Sequence, residues 1–155
     1  MRHPADPPSW PHIHDLEVSE DYPAAIDALE ARLAADPEDP EVVRRLGFNL
    51  WYAAHEDARV QKALPVQRYA GRFMELYRQH ANQLAEDADF CWAFGLGMQL
   101  FWFDFPGATE EEGKRLLDRA RALDPFWARF GQPGVEQDMS RLKNRGIFAA
   151  YYNVA

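Results

Sequence analysis

A seven-residue pattern occurs twice in this chain. Leu46-Gly47-Phe48-Asn49-Leu50-Trp51-Tyr52 returns as Leu96-Gly97-Met98-Gln99-Leu100-Phe101-Trp102, 50 residues further on (46 to 96). The Leu-Gly pair, the amide, the second Leu and the aromatic pair coincide in order. Similar lead-ins, Leu33-Ala34-Ala35-Asp36 and Leu84-Ala85-Glu86-Asp87, precede the two copies. Apolar spacing makes both copies helical. A Gly inside a helix costs about 1 kcal/mol against Ala, so something such as close approach of a neighbouring helix must offset Gly47 and Gly97. A chain built from such units buries its apolar faces by stacking them.

The helical period runs on around the two copies, punctuated by proline. Ala25, Ile26, Leu29 and Leu33 lie on one stripe of a helix that begins at Tyr22 and stops near Asp36-Pro37. A second helix opens at Pro40, carries Val43, Leu46, Gly47, Leu50 and Ala54, and gives way to His55-Glu56-Asp57. A third spans 66–86 on Tyr69, Phe73, Leu76, His80 and Leu84, and is expected to be the longest. A fourth, 89–103, is apolar nearly all round, the mark of a central helix or of one whose open face awaits a partner. Phe105-Pro106-Gly107 breaks the chain, and Thr109 with Glu112 forms a capping-box pattern ahead of Leu116, Leu117, Ala120 and Leu123. A short helix follows at 126–130, then Gly131-Gln132-Pro133-Gly134 and a last helix over 135–143. Ile147-Phe148-Ala149-Ala150-Tyr151-Tyr152 is too apolar for a free tail and is expected to pack back. No segment alternates as a strand does. The chain reads as all-α with about six or seven helices. Residues 1–18, with Pro4, Pro7, Pro8 and Pro11, form an extended arm, and 19–155 form one helical domain.

Composition narrows the function classes. Seventeen Lys and Arg against 25 Asp and Glu leave a formal charge of -8, with no basic stripe to neutralise a phosphate backbone, which argues against nucleic acid. An acidic surface speeds encounter with a basic protein and serves solubility equally well. Cys91 is the only cysteine and lies in an apolar run, so it reads as a buried, inert thiol suited to a reducing cytosol. Residues 1–11 lack the apolar core of a signal peptide, and 90–105 is too short and interrupted to span a bilayer. A cytoplasmic protein, monomeric or homodimeric, is expected.

Catalytic and metal motifs are weak. His12-x-His14-Asp15, with His3, places two imidazoles on one side of an extended arm, but no further ligand pattern supports a metal. His55-Glu56-Asp57-Ala58-Arg59 lacks the second His of a zinc-protease helix. The carboxylates of Glu110-Glu111-Glu112 and of Asp36 to Glu41 fall at helix starts, where the helix dipole accounts for them. Ser9, Ser19, Ser140, Thr109 and Cys91 stand in no nucleophile motif. No enzyme, cofactor or metal is expected.

Tyr22-Pro23-Ala24-Ala25-Ile26 with Leu29, Leu33 and Pro37 resembles the second helix of a tetratricopeptide repeat. Val43, Leu46, Gly47 and Leu50 resemble the first helix of the next, and Leu117, Ala120 and Pro125 the end of another second helix. The resemblance covers roughly 20–125. It departs from the family in its spacing, because such repeats recur about every 34 residues, and in Arg32, which stands where the family carries a small Ala. The resemblance implies antiparallel helix pairs in a short right-handed superhelix whose first helices line a concave groove. The groove positions in this chain are Arg44, Phe48, Trp51, Tyr52, Phe94, Met98, Phe101 and Trp102. Trp, Tyr, Met and Arg are interface-enriched, yet in so small a protein the same residues serve equally as core. Phe48 at a clamp-like position argues against the mode in which the family reads peptide termini.

The implied function is non-catalytic binding of a protein partner, a basic one fitting the charge. The size and charge resemble those of a secretion chaperone or an immunity protein that masks a toxin. The rival reading is a small enzyme or ligand-binding protein with a pocket of Trp51, Tyr52, Trp102 and His80, covered by Tyr151 or Tyr152.

Overall fold

A computed structural model describes residues 5–56 and 66–142. Within them the chain is all-helical, with seven α-helices and no strand. They are α1 Trp10–Val18, α2 Tyr22–Ala35, α3 Pro40–Glu56, α4 Val66–His80, α5 Ala88–Phe101, α6 Glu110–Leu123 and α7 Pro125–Arg129. Two short 3-10 turns, Trp102–Asp104 and Met139–Leu142, follow α5 and α7. No described helix is long and apolar enough to cross a membrane.

Side-chain caps set most of the boundaries. Asp21, Asp87, Thr109 and Asp124 each accept a backbone N–H from the first turn of the helix they open. Thr109 Oγ1 accepts from Glu112 N–H at 3.1 Å, which is half of the expected capping box. The Glu112 carboxylate turns instead to Tyr77 Oη, at 2.5 Å, and to Arg115. That exchange ties α4 to α6.

Three boundaries correct the sequence expectations. Residues 10–18 of the supposed extended arm are helical, because Pro11 sits in the first turn, where its missing N–H has no intrahelical partner to lose. Ser9 caps that turn through His12 N–H. The helix expected over 66–86 stops at His80, and 81–86 is a turn that delivers Asp87 to the cap of α5. The longest described helix is therefore α3. The last helix, expected over 135–143, shrinks to the turn Met139–Leu142 after Gly131 and Gly134, both at positive φ. The expected packing of 147–152 lies outside the described residues.

Helices α1 to α4 pack in sequence, as do α5 to α7; α3 also packs on α5, and α4 meets α5 through the rings of Phe73 with Phe94 and Tyr77 with Phe90. Arg44 near the start of α3 pairs with Asp87 at the start of α5, at 3.1 Å. His55 near the end of α3 stacks on Phe101 at the end of α5. The two helices therefore run parallel. Their contact is reciprocal. The Phe94 ring of α5 fills the space a Cβ on Gly47 would occupy, and the Trp51 ring of α3, with Phe73, crowds Gly97. Backbones approach closely elsewhere, between α5 and α6, where Gly95 faces Leu116 and Leu117, and Gly113 faces the backbone of Gln99.

One ionic cluster holds α1. Glu17 is fully buried, paired with buried Arg45, and accepts from Asn49 Nδ2 at 3.0 Å. Trp10 carries the guanidiniums of Arg32 and Arg45 at 4.3 and 4.6 Å from its ring centroid. Arg32 thus finds its place against the arm, donating to the Pro8 carbonyl at 2.8 Å.

Candidate functional site

The eight groove positions divide sharply. Phe48, Trp51, Phe94 and Met98 are fully buried. The rings of Phe48, Trp51 and Phe94 pack among themselves and against Phe73, Phe90 and Phe101 at centroid distances of 4.6 to 6.0 Å. For these four, core is the reading the structure selects. Arg44 is half-buried between Glu41 and Asp87, each at 3.1 Å. Tyr52 is half-buried, edge-on to Tyr22 at 5.0 Å. Phe101 is half-buried under His55. Only Trp102 is exposed, at 42%.

Trp102 belongs to an apolar corner that the groove positions alone do not define. Among the described residues the exposed large hydrophobics are Val18, Leu100, Trp102, Phe103 and Val135. Three of them fall within four consecutive positions, and Phe103 is 64% exposed. Clustering of this kind distinguishes a contact patch from scattered surface residues. The Trp102 and Phe103 rings meet edge to face at 5.8 Å.

The corner stands on a rigid base. Phe105 is buried and stacks on Phe73 at 4.4 Å, which fixes the chain just beyond the patch. Arg78 donates to the Pro106 carbonyl and occupies the space a side chain on Gly107 would need. His55 stacks on Phe101 at 4.0 Å with the rings 10° from parallel, and meets Phe105 edge-on. Its Nδ1 faces the Trp51 carbonyl and its Nε2 the Asp104 carboxylate, both at 3.1 Å.

The corner is one end of a longer stripe on the outer face of α5. Asp89, Trp92, Leu96 and Leu100 follow one another at three- and four-residue spacing, and Phe103 follows in the 3-10 turn after the helix ends at Phe101. The first part is covered by α7. Trp127 stacks on Trp92 at 4.3 Å and donates its indole N–H to Asp89 Oδ1 at 2.8 Å. Phe130 meets Trp92 edge-on, and Arg141 reaches Asp89 and Asp124. From Leu96 onward the stripe opens to solvent: Leu96 is half-buried and Leu100 is 41% exposed.

Other groups singled out in the sequence do not converge. Trp51 is core, Trp102 is on the surface, and the three clefts described are lined by other residues. The largest, about 840 Å³ between α2 and α4, is dominated by the bidentate pair of Arg72 with Glu30, at 2.7 and 3.0 Å. His80 is buried, and that burial, with Arg72 nearby, holds its pKa below the usual value. Tyr151 and Tyr152 lie outside the described residues. Burial pushes the Cys91 thiol up to about 11, as befits a packed, unreactive cysteine. With α1 helical, His12 and His14 stand two positions apart on a helix and do not face each other. Among the described residues no group of three or more His, Cys, Asp or Glu is placed to hold a metal.

Leu96, Leu100 and Phe103 are the site residues that sequence reasoning passed over. Their signal was present as i, i+4, i+7 spacing, but in a helix apolar on nearly every side that stripe does not stand out from its neighbours. Comparison with models of known protein families, with curated proteins and with solved structures gives no significant match.

Proposed function

We propose that this chain is a non-catalytic protein-binding module whose contact centres on Leu100, Trp102 and Phe103. One observation carries the reading: the exposed apolar side chains concentrate on a single corner, backed by the packed base of Phe101, His55 and Phe105. Covering a large apolar side chain fully is worth roughly 1.5–3 kcal/mol. A Trp and a Phe held on a fixed turn supply anchors of the kind that dominate interfaces, with little ordering left to do on binding. The proposal keeps the tetratricopeptide-like superhelix as its architecture, with parallel α3 and α5 as first helices of successive units. It also keeps a dedicated chaperone or an immunity protein as the kind of protein it describes. The site moves from the buried aromatic row to the end of α5.

The test is affinity capture from the native host with the wild-type chain and with Trp102→Ala and Phe103→Ser variants. A partner retained by the wild type should be lost from both variants while their melting temperatures stay within about 2 °C, because exposed positions rarely contribute more than about 0.5 kcal/mol to stability. Undiminished capture by both variants refutes the corner as the contact.

A further inference from the structure

The covered and open halves of the α5 stripe together describe an occupant. In the covered half the five-residue helix α7 meets the stripe through Trp127, whose indole stacks on Trp92 and donates to Asp89. In the open half the spacing continues through Leu96 and Leu100, about 6 Å along the axis, and Phe103 follows in the 3-10 turn beyond the end of the helix. A surface continuous with a helix-covered one, and of the same periodicity, fits a second helix laid end to end with the first.

Charge selects among such helices. Between Asp87 and Gly113 the sequence carries six carboxylates and no Lys or Arg. Asp87, Asp89, Glu110 and Glu112 are paired with Arg44, Arg141, Lys114 and Arg115, so the carboxylate at the open end of α5 is Asp104, which faces His55 Nε2. The last turn of α5 holds no basic side chain, so its negative dipole end at Phe101 meets no cation of its own helix. Asp104 stands beside that end with its carboxylate half-exposed. Trp102 is 42% exposed, and a Trp ring is the preferred aromatic surface for a cation.

Resting on the partner-binding reading above, we propose that the open half of α5 receives a helical segment of another protein that carries Lys or Arg beside its apolar stripe. The apolar side chains cover Leu96, Leu100 and Phe103, and the cation lies between Asp104 and Trp102 at the end of α5.

Two synthetic peptides test this on the full chain. Both are about 18 residues long, since shorter helices are marginal in water, and share one Leu stripe. One is flanked by Lys and the other by Glu. Fluorescence anisotropy at low salt should show the Lys peptide binding at least tenfold more tightly, with the preference shrinking as salt rises. Asp104→Asn should reduce the preference severalfold, by weakening the Lys peptide and relieving the repulsion of the Glu peptide. Phe103→Ser and, independently, Leu100→Ser should weaken both peptides at least tenfold. Equal binding of the two peptides overturns the assignment of charge and leaves the partner-binding reading intact. A wild-type dimer in sedimentation that becomes monomeric in Phe103→Ser makes a second copy the occupant and overturns the proposal. Failure of both peptides to bind, with host partners still captured by Phe103→Ser, removes the proposal and the reading it rests on together.

Discussion

Gly113 and Gly71 both sit inside helices, yet alanine at the two positions should act in opposite directions. A Cβ on Gly71 meets nothing within 4 Å. A Cβ on Gly113 would stand 2.4 Å from the Gln99 backbone nitrogen and 2.8 Å from its Cα. Those are backbone atoms of α5, and they yield only if α5 and α6 move apart by about 1 Å along the most extensive helix contact among the described residues. Replacing a helical Gly with Ala gains about 0.5–1 kcal/mol where nothing opposes it. Gly71→Ala should therefore stabilise by about that amount. At Gly113 the same gain meets an overpacking cost of about 2–3 kcal/mol, for a net loss of about 1–2 kcal/mol. In a chain of this size that corresponds to a fall in Tm of roughly 2–8 °C. Urea denaturation followed by far-UV circular dichroism measures both variants, and unchanged m values confirm that the midpoint shifts report stability. A Gly113→Ala protein as stable as wild type would show that the helices are not pressed together there, and the packing argument for Gly95 would fall with it.

Two other perturbations have calculable directions. Glu17→Gln removes the buried counter-charge of Arg45, leaving it only the more distant Glu41 at 3.9 Å, and should cost about 3–5 kcal/mol in chemical denaturation, whereas Glu17→Met combined with Arg45→Met should recover most of that loss. If the double variant is no better than the single, the ionic account of how α1 is held is wrong. Burial, followed by the hydrogen bond to Glu112, raises the Tyr77 phenol to about 12. Its ordinary value is near 10, so above pH 10 the unfolded chain releases this proton while the folded chain keeps it. Stability from this group is thus fully present below about pH 10 and lost as pH rises toward 12. Stability measured across that window should fall more steeply for wild type than for Tyr77→Phe, and parallel curves would refute the coupling.

Much of the architecture was legible because proline, capping residues and period act locally. Asp36-Pro37, Pro40 and Thr109 each stop or start a helix through groups within four residues, so α2, α3 and α6 begin and end close to where their sequences place them. Where reading failed, two local rules competed. Pro11 forbids an interior helical hydrogen bond but suits a first turn, and only Ser9 capping the chain just ahead of it decides which rule applies. Leu84 continues the apolar spacing of α4, yet the chain must turn there to reach Asp87. The site was harder to see for a different reason. Spacing tells which residues share a face, and in α5 nearly every face is apolar, so nothing in the sequence says which one its neighbours leave open. Burial of Phe48, Trp51, Phe94 and Met98 depends on α3, α4 and α6 arriving together, an outcome that belongs to the assembled helices. Even Gly47 and Gly97, whose need for a close neighbour was apparent, accommodate aromatic rings in place of a helix backbone.

The ring-into-glycine contacts of α3 and α5 also bear on how a partner would find its surface. Because each helix inserts a ring into the other's gap, sliding either one along its axis drives Phe94 or Trp51 into a turn that has no room for it. The pair is keyed in both directions. His55 rides on one helix and Phe101 to Asp104 on the end of the other, so the key also sets the height at which Trp102 and Phe103 project. A binder would meet a surface of constant relief, and substitutions at Gly47, Trp51, Phe94 or Gly97 should change its affinity from a distance, without touching it.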